Sequence, residues 1–247
     1  MSRPLVIAHR GASGERPENT LSAYALAVEQ GADMIEIDLH RSLDGVVMIH
    51  HDAELARLGG EGAIEDRTAA ELAGLNAAPG AADHERIPTL VDVLEAFGDR
   101  IEFNLEMKVG RSGAPYEGLE ETVLSELEAR GLLPRMLLSS FSDLVLERLR
   151  SLSSRARLGV LVAPRAPRRI LERARGVQAE AIHPHTALVR ANLIRKAHAE
   201  GLRVYPYTED DPGRLARLLD LGVDGIITNH PARLRRLIDE RCPGSSD

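Results

Sequence analysis

The chain has 247 residues, of which 43% are hydrophobic, and it carries a formal net charge of -7. This length fits one large domain or two small ones, and the apolar fraction is enough for a sizeable core. The acidic balance argues against a nucleic-acid partner, because phosphate backbones need clustered positive charge. We therefore expect a globular protein that does not bind nucleic acid.

No apolar run reaches the roughly 20 residues of a membrane span. The N-terminal letters MSRPLVIAHRG also lack the apolar core and cleavage site of a secretory signal. The single cysteine, Cys242, cannot form an internal disulfide, which agrees with a reducing compartment. The aromatic content of 3%, without Trp, leaves few anchors for a lipid surface. These features predict a cytoplasmic protein with no stable membrane association.

The first predicted elements are a strand at residues 5–8, followed directly by the letters HRG, and a helix that begins after Thr20. From the end of this helix onward, a helical segment runs four times into a glycine and then into a short apolar strand. Glycine just past a helix supplies its left-handed terminating residue, so the repeat predicts alternating helices and buried strands. The four segments are AVEQGADMIEID, LEARGLLPRMLLS, AHAEGLRVYPYT and LLDLGVDGIITN.

The second strand, MIEIDL, carries acidic side chains at alternate positions. Successive side chains on a strand point to opposite faces, so Glu36 and Asp38 share one face and Ile35, Ile37 and Leu39 share the other. Only the letters HRSLDG separate this strand from the next apolar run. A parallel partner needs a crossover of about a dozen residues, so these two strands are expected to pair antiparallel.

Asp44 and Gly45 are predicted to form the turn of this hairpin, because Asp-Gly between apolar runs is typical of two-residue hairpin loops. Counting outward from that turn sets Asp38 opposite His51, and directly opposed residues share a face. The hairpin is therefore expected to bring His51 beside the carboxylates and to point His50 away from them.

Residues 53–89 interrupt the repeat of helix and strand. They contain a capping box, Thr68 with Glu71, ahead of a short apolar helix face, and then the small-residue loop NAAPGAADHER. We interpret this segment as a small insertion over the mouth of a barrel. The whole chain, residues 1–247, is then expected to be a single domain.

The strand after the insertion, IEFNLEMK, repeats the alternation of the second strand. Its Glu106 and Lys108 share a face, so a third carboxylate and an ammonium enter the space that Glu36 and Asp38 face. Three hard oxygen ligands suit Mg²⁺ or Ca²⁺. Lys occurs only at positions 108 and 196 among many arginines, and a compact ammonium binds phosphate as a point charge.

Further strands at residues 157–162 and 181–183, and a helix capped by Asp211 with Pro212 in its first turn, complete the pattern. With the hairpin strand set aside, eight strands alternate with helical segments over about the 250 residues typical of a (β/α)8 barrel. The sequence therefore predicts an α/β fold of this kind, with a β-hairpin after the second strand. An open doubly wound sheet is the alternative, which the absence of a GxGxxG turn after the first strand disfavours.

Catalytic groups gather at the carboxyl ends of the strands in such barrels. His9 stands at the end of the first strand with Arg10 beside it, and the hairpin brings His51 to the same mouth. Two histidines can act as general acid and general base, while Arg10 and Lys108 hold a phosphate. His183 ends a later strand, where it either lines the pocket or is a hydrogen-bonded structural histidine.

Several motifs, spread over most of the chain, together resemble those of the glycerophosphodiester phosphodiesterases. They are HRG with PENT, EIDLHRSLDGVVMIHHD, TAAEL, IPTLVDVLEAF, FNLEMK, LSSFS and GVDGIITNHP. The resemblance implies a (β/α)8 barrel with a small insertion. Carried over position by position, it implies metal binding by Glu36, Asp38 and Glu106, acid and base work by His9 and His51, and phosphate contact by Arg10 and Lys108.

Near the seventh strand the chain departs from the family pattern. The family usually has Trp and Thr followed by Asn, whereas this chain has Tyr207, Thr208, Glu209 and Asp210. The departure affects the fit around the alcohol side of the substrate. The expected substrate-binding set is Arg10, Lys108, His183, Tyr207 and Glu18, the last as a residue that positions Arg10 or His9.

These inferences predict a metal-dependent phosphodiesterase that hydrolyses glycerophosphodiesters to glycerol 3-phosphate and an alcohol. Either water or the 2-hydroxyl of the substrate is the nucleophile. Two alternatives keep the same barrel, a lysophospholipase D and an inositol-phosphodiester hydrolase. A further alternative is a non-catalytic barrel that binds a phosphopolyol, which would have little use for both histidines.

Overall fold

The computed structural model describes residues 3–80, 84–165 and 169–241, and Cys242 lies outside these ranges. Within them, no helix is both long enough and apolar enough to cross a membrane. The strands are β1 (Leu5–His9), β2 (Met34–Arg41), β3 (Val47–Ile49), β4 (Glu102–Met107), β5 (Met136–Ser140), β6 (Arg157–Val162), β7 (Ala181–Pro184), β8 (Arg203–Val204) and β9 (Gly225–Thr228). The helices are α1 (Leu21–Glu29), α2 (Ala69–Leu72), α3 (Leu90–Phe97), α4 (Leu119–Ala129), α5 (Asp143–Leu152), α6 (Ile170–Gly176), α7 (Ala191–Ala199), α8 (Pro212–Asp220) and α9 (Pro231–Arg241).

Eight of the strands run parallel and form a nearly closed barrel, which confirms the predicted fold. Their order is β8-β7-β6-β5-β4-β2-β1-β9, and β3 pairs antiparallel with β2. The largest apolar cluster includes the side chains by which the strands pack against the surrounding helices. A smaller cluster comes from the opposite strand faces and fills the barrel interior, as alternation along each strand requires. It consists of Ile7, Met34, Leu137, Ala181, Tyr205 and Ile227.

The barrel closes at the seam between β8 and β9 through single backbone hydrogen bonds. The Asp224 N–H donates to the Val204 carbonyl at 3.1 Å, and the Ile227 N–H donates to the Pro206 carbonyl at 2.9 Å. Pro206 has no N–H of its own, so it cannot continue a ladder as donor. The strand predicted within AHAEGLRVYPYT is therefore regular only at Arg203 and Val204.

Helix α8 begins and ends where its capping residues predict. The Asp211 side chain accepts from the Arg214 N–H at 2.9 Å, and Pro212 occupies the first helical position. Leu215 is buried, and Gly222 just beyond the helix has a φ of 80°. The cap, the proline and the left-handed glycine fix both ends of the helix as predicted.

The register of the hairpin differs from the prediction. Arg41 lies opposite Val47, and the Ser42 N–H donates to the Val46 carbonyl at 3.0 Å. The loop therefore has three residues, 43–45, and Gly45 takes the left-handed position with a φ of 89°. This shift by one residue sets His50 instead of His51 opposite Asp38, and the His50 N–H donates to the Asp38 carbonyl at 3.1 Å.

The described residues of the 53–89 segment pack with β3 around a separate apolar cluster. The predicted capping box is present, since the Thr68 hydroxyl accepts from the Glu71 N–H and the Glu71 carboxylate accepts from the Thr68 N–H. That the segment is an insertion within one domain stays a prediction. The buried members of the cluster are Met48, Leu55, Ile64, Leu72 and Ile87.

Candidate active site

A cavity of about 330 Å³ opens at the carboxyl ends of the barrel strands. One side of its wall is charged and the other is apolar and aromatic. The lining residues are His9, Arg10, Glu36, His51, Glu106, Lys108, Phe141, Leu161, His185, Tyr207, Thr208 and Ile227.

Three carboxylates from two neighbouring strands meet at the charged side. Glu36 and Asp38 lie on β2, and Glu106 on β4 is the direct neighbour of Asp38 in the parallel ladder. Each offers an oxygen within 4.8 Å of the other two. The Lys108 Nζ lies 2.8 Å from an Asp38 oxygen and 2.5 Å from a Glu106 oxygen. The alternation read from the two strands thus produces one shared cluster.

Arg10 turns from the end of β1 into this cluster because its backbone is left-handed. Its φ is 57°, and its N–H donates to the Glu36 carbonyl at 2.9 Å. The guanidinium Nε lies 3.1 Å from an Asp38 oxygen, and Nη1 lies 3.0 Å from Glu18. A non-glycine residue in this conformation is strained, and such strain is concentrated at functional sites. Here it aims a buried cation at the carboxylates.

The pKa values of the three carboxyls shift in different directions because their charged neighbours differ. Burial, with the charges of Asp38 and Glu106, raises the pKa of Glu36 well above its usual value. Burial also raises the pKa of Glu106. Burial opposes ionisation of Asp38 as well, but Lys108 and Arg10 outweigh it and hold the pKa of that carboxyl well below its usual range.

A divalent cation fits this donor set. Arg10 and Lys108 can balance only two of the three carboxylates, so a further positive charge is needed when all three are ionised. Glu36 Oε1 is buried and has no hydrogen-bond partner in the described ranges. Carboxylate oxygens of this kind are the ligands that Mg²⁺ and Ca²⁺ take.

His9 faces the cavity from the end of β1, and a hydrogen bond on the side away from the cavity orients its ring. Its Nδ1 lies 2.7 Å from Asn229 Oδ1, and its Nε2 lies 3.9 Å from Glu36 Oε2. Burial, followed by the charge of Arg10, lowers the pKa of His9 to about 4. The ring is therefore neutral near pH 7 in the resting protein.

His51 reaches the cavity from the turn after β3 and not from the ladder. Its Nδ1 lies 2.6 Å from Asp52, and burial lowers the pKa of the ring. Arg57 bridges Asp52 at 2.9 Å and Glu18 at 2.8 Å. Since Glu18 also binds Arg10, a chain of ion pairs joins the surroundings of the two histidines.

Two members of the expected substrate-binding set do not lie on the cavity wall. Glu18 has its carboxylate occupied by Arg10 and Arg57, so it positions Arg10 and does not line the cavity. The His183 ring is fully buried inside the barrel, which corrects the expectation that it contacts substrate. Tyr207 does line the cavity, where its ring packs edge-on against Phe141 with centroids 5.9 Å apart.

Sequence reasoning missed the residues that hold the histidines. His40 lies 3.2 Å from the His51 carbonyl through Nε2 and 2.7 Å from the Tyr116 hydroxyl through Nδ1. Asn229 sits in the motif ITNHP, and only its place directly after the last strand could have indicated a role. Asp38 itself is fully buried beneath the wall, between Arg10 and Lys108.

Paired histidines facing cations and a carboxylate cluster at the mouth of a (β/α)8 barrel indicate a hydrolase of phosphate esters. The sequence profile described as "Glycerophosphoryl diester phosphodiesterase family" matches residues 9–233. A glycerophosphodiester phosphodiesterase from Caldanaerobacter subterraneus is 32% identical over 245 residues, which span 96% of this chain and 98% of the relative. The chain therefore belongs to the glycerophosphoryl diester phosphodiesterase family.

Solved structures agree with this membership. A phosphodiesterase from Oleispira antarctica, in complex with the product sn-glycerol-3-phosphate, is 33% identical with a TM-score of 0.83, over 96% of this chain and 97% of that one. A glycerophosphodiester phosphodiesterase from Agrobacterium tumefaciens is 26% identical with a TM-score of 0.79, over 94% and 99%. The chain is thus an enzyme, a phosphoric diester hydrolase, and the alternative of a non-catalytic barrel is set aside.

Proposed function

We propose that the enzyme hydrolyses deacylated glycerophosphodiesters to sn-glycerol 3-phosphate and an alcohol, with Mg²⁺ or Ca²⁺ held by Glu36, Asp38 and Glu106. One observation carries the proposal. His9 and His51 line the same cavity, and each ring has its Nδ1 engaged in a hydrogen bond. No described residue hydrogen-bonds either Nε2, so both nitrogens can exchange a proton with a bound ester.

The cations of the site bind and orient the phosphate. Arg10 and Lys108 line the cavity, and their side chains are only 14% and 15% exposed. Arg10 engages carboxylates through Nε and Nη1, which leaves Nη2 for a phosphate oxygen. When bound, the divalent cation adds positive charge that polarises the phosphoryl group. Burial makes each of these interactions stronger than it would be in water.

The histidines divide the proton transfers. One ring deprotonates the nucleophile and the other protonates the leaving alkoxide, as hydrolysis of an alkyl ester near neutral pH requires. The Asp52 carboxylate holds His51 by Nδ1, and the Asn229 amide holds His9 in the same way. Both rings are therefore oriented before substrate arrives, which lowers the cost of reaching the reactive geometry.

The test is hydrolysis of glycerophosphocholine by the purified protein, followed by measurement of glycerol 3-phosphate. We expect turnover to stop on chelation and to return with Mg²⁺ or Ca²⁺. His9→Ala and His51→Ala should each lower kcat by about 10²-fold or more. The control is His84→Ala, at an exposed position of the 53–89 segment. Turnover that survives chelation contradicts the metal, and full activity of both histidine variants contradicts the acid–base pair.

A second candidate substrate, a monoacyl lysophospholipid, is favoured by apolar surface beside the cavity. Phe141 lines the cavity and is 43% exposed, and Leu144, one turn later in α5, is 64% exposed. An acyl chain that leaves the cavity over Phe141 would contact both. Comparing glycerophosphocholine with its monoacyl form, and with glycerophosphoinositol, in the same assay separates the phosphodiesterase from the lysophospholipase D and inositol alternatives.

A further inference from the structure

Behind His9, a hydrogen-bond chain runs away from the cavity to a carboxylate. Asn229 Oδ1 lies 2.7 Å from His9 Nδ1 and 2.9 Å from the Ser13 hydroxyl. Asn229 Nδ2 donates to Asp210 Oδ2 at 2.6 Å. The other Asp210 oxygen accepts from the Asn229 N–H at 2.8 Å and from the Thr228 hydroxyl at 2.9 Å. Asp210 therefore binds Asn229 by both its backbone and its side chain.

The carboxylate decides which way the Asn229 amide faces. An ionised carboxylate accepts hydrogen bonds and donates none, so only the amide nitrogen can face Asp210 Oδ2. The amide oxygen must then face His9, where it can only accept. The ring nitrogen Nδ1 of His9 is consequently the one that carries the proton, and Nε2 presents its lone pair to the cavity.

Asp210 is held too firmly to adjust to the opposite arrangement. Its own N–H donates to Glu209 Oε1 at 3.1 Å, and its carbonyl accepts from Arg233 Nη1 at 2.6 Å. The next residue, Asp211, caps α8. The Asp210 carboxylate thus belongs to a loop that is held on both sides. The Asn229 amide is therefore the group that adopts the orientation the carboxylate requires.

We propose that Asp210 is a positioning residue that selects the His9 tautomer through the Asn229 amide. The inference rests on the proposed function with His9 as the base of the acid–base pair, since the base needs an unprotonated Nε2 in the resting enzyme. Neither Asp210 nor Asn229 lines the cavity, so both act through His9 and not on the substrate.

The experiment exchanges the two side chains. In Asp210→Asn, the oxygen of the new amide keeps the two donors at Asn229 N and Thr228, and its nitrogen takes the place of Oδ2. The Asn229 amide must then invert and donate to His9 Nδ1, which moves the ring proton to Nε2. We expect kcat to fall by about 10²-fold with KM changed less than about threefold. In the double variant Asp210→Asn with Asn229→Asp, a carboxylate again accepts from Nδ1, and kcat should recover to within about tenfold of the native enzyme.

The direct readout is the ring tautomer of His9, from ¹⁵N–¹H correlation spectra of histidine-labelled protein assigned with His9→Ala. We expect an Nδ1–H ring in the native and double variants and an Nε2–H ring in Asp210→Asn. The control is Asp211→Asn, which removes the same charge one residue away and keeps a capping side chain. It should change neither the tautomer nor kcat.

Two outcomes overturn the inference: an Nδ1–H ring in Asp210→Asn, or a kcat for that variant within about twofold of the native value. A purely structural role for Asp210 would lower the thermal midpoint and leave the tautomer unchanged. If instead His9→Ala is fully active, the proposed function fails at His9, and the tautomer spectra still decide whether Asp210 sets the ring.

Discussion

The surroundings of His183 do not stabilise a protonated imidazole ring. It is fully buried on β7, and neither ring nitrogen has a hydrogen-bond partner among the residues that the structure describes. Asn104 on β4 and Ser139 on β5 also have buried polar atoms without a partner among the described residues. Burial lowers the pKa of His183 to about 3 from an ordinary value of 6.5. The folded protein therefore requires the neutral ring.

This burial makes stability depend on pH in a defined direction. Below pH 6.5 His183 is protonated in the unfolded chain, whereas in the folded chain it stays neutral down to about pH 3. The unfolded state therefore binds more protons, and falling pH favours unfolding. We expect the free energy of unfolding of the native protein to fall faster than that of His183→Gln, by up to about 1.4 kcal/mol per pH unit. Urea denaturation of both proteins between neutral pH and pH 4 measures the difference. Parallel curves would refute it.

The role of a residue was predictable where it followed the alternation of side chains along one strand. It was not predictable where it depended on residues distant in the chain. The alternation on β2 and β4, together with the predicted barrel, places Glu36, Asp38 and Glu106 in one space. The partner of His9 is Asn229, which is 220 residues away in the chain, and no local pattern joins them. His183 looked like a candidate for substrate contact because a strand end does not reveal how deep a side chain lies.

Among the elements, the hairpin shows how one loop residue changes a register. Asp-Gly fits both a two-residue loop and a three-residue loop with glycine in the left-handed place, so the letters alone did not distinguish them. The Ser42 hydroxyl stabilises the longer loop, because it accepts from the Val46 N–H at 2.9 Å and donates to Asp44 at 2.6 Å. His51 still reaches the cavity, since the chain leaves the ladder after His50, whose N–H donates to the Asp38 carbonyl.

Strand β6 carries the small residue that the His183 ring requires. A Cβ added at Gly159 would lie 2.7 Å from His183 Nε2, and the ring is enclosed on all sides. We expect Gly159→Ala to lower the free energy of unfolding by about 1–3 kcal/mol, because a packed interior resists added volume. Chemical denaturation provides the measurement.

The matched control is Gly176→Ala at the end of α6. Apart from its chain neighbours and the backbone of its own helix, no described heavy atom lies within 4 Å of a Cβ there, and its φ is not positive. This change should stay within about 0.5 kcal/mol of the native protein. Equal losses in the two variants would mean that the loss in Gly159→Ala does not come from its contact with His183.

At the level of the whole molecule, the barrel was readable because its units are local. Each strand carries its own period of two and each helix its own cap or glycine, so the order of elements and the parallel sheet follow without tertiary information. The seam at Pro206 and the ion pairs of Arg57 with Glu18 and Asp52 were not readable. They depend on which loops meet when the barrel closes, and that geometry has no signature in any one segment.

The charged side chains of the site surround one space, which lies between Glu36, Asp38 and Glu106. A crystal of the native enzyme soaked in MnCl₂ and measured for anomalous scattering would locate a bound cation there. We expect one peak per chain within about 2.5 Å of an oxygen from each of the three carboxylates, and no peak in Glu36→Gln. A map without that peak, or with the ion bound elsewhere in an enzyme that Mn²⁺ activates, would contradict the proposed metal centre.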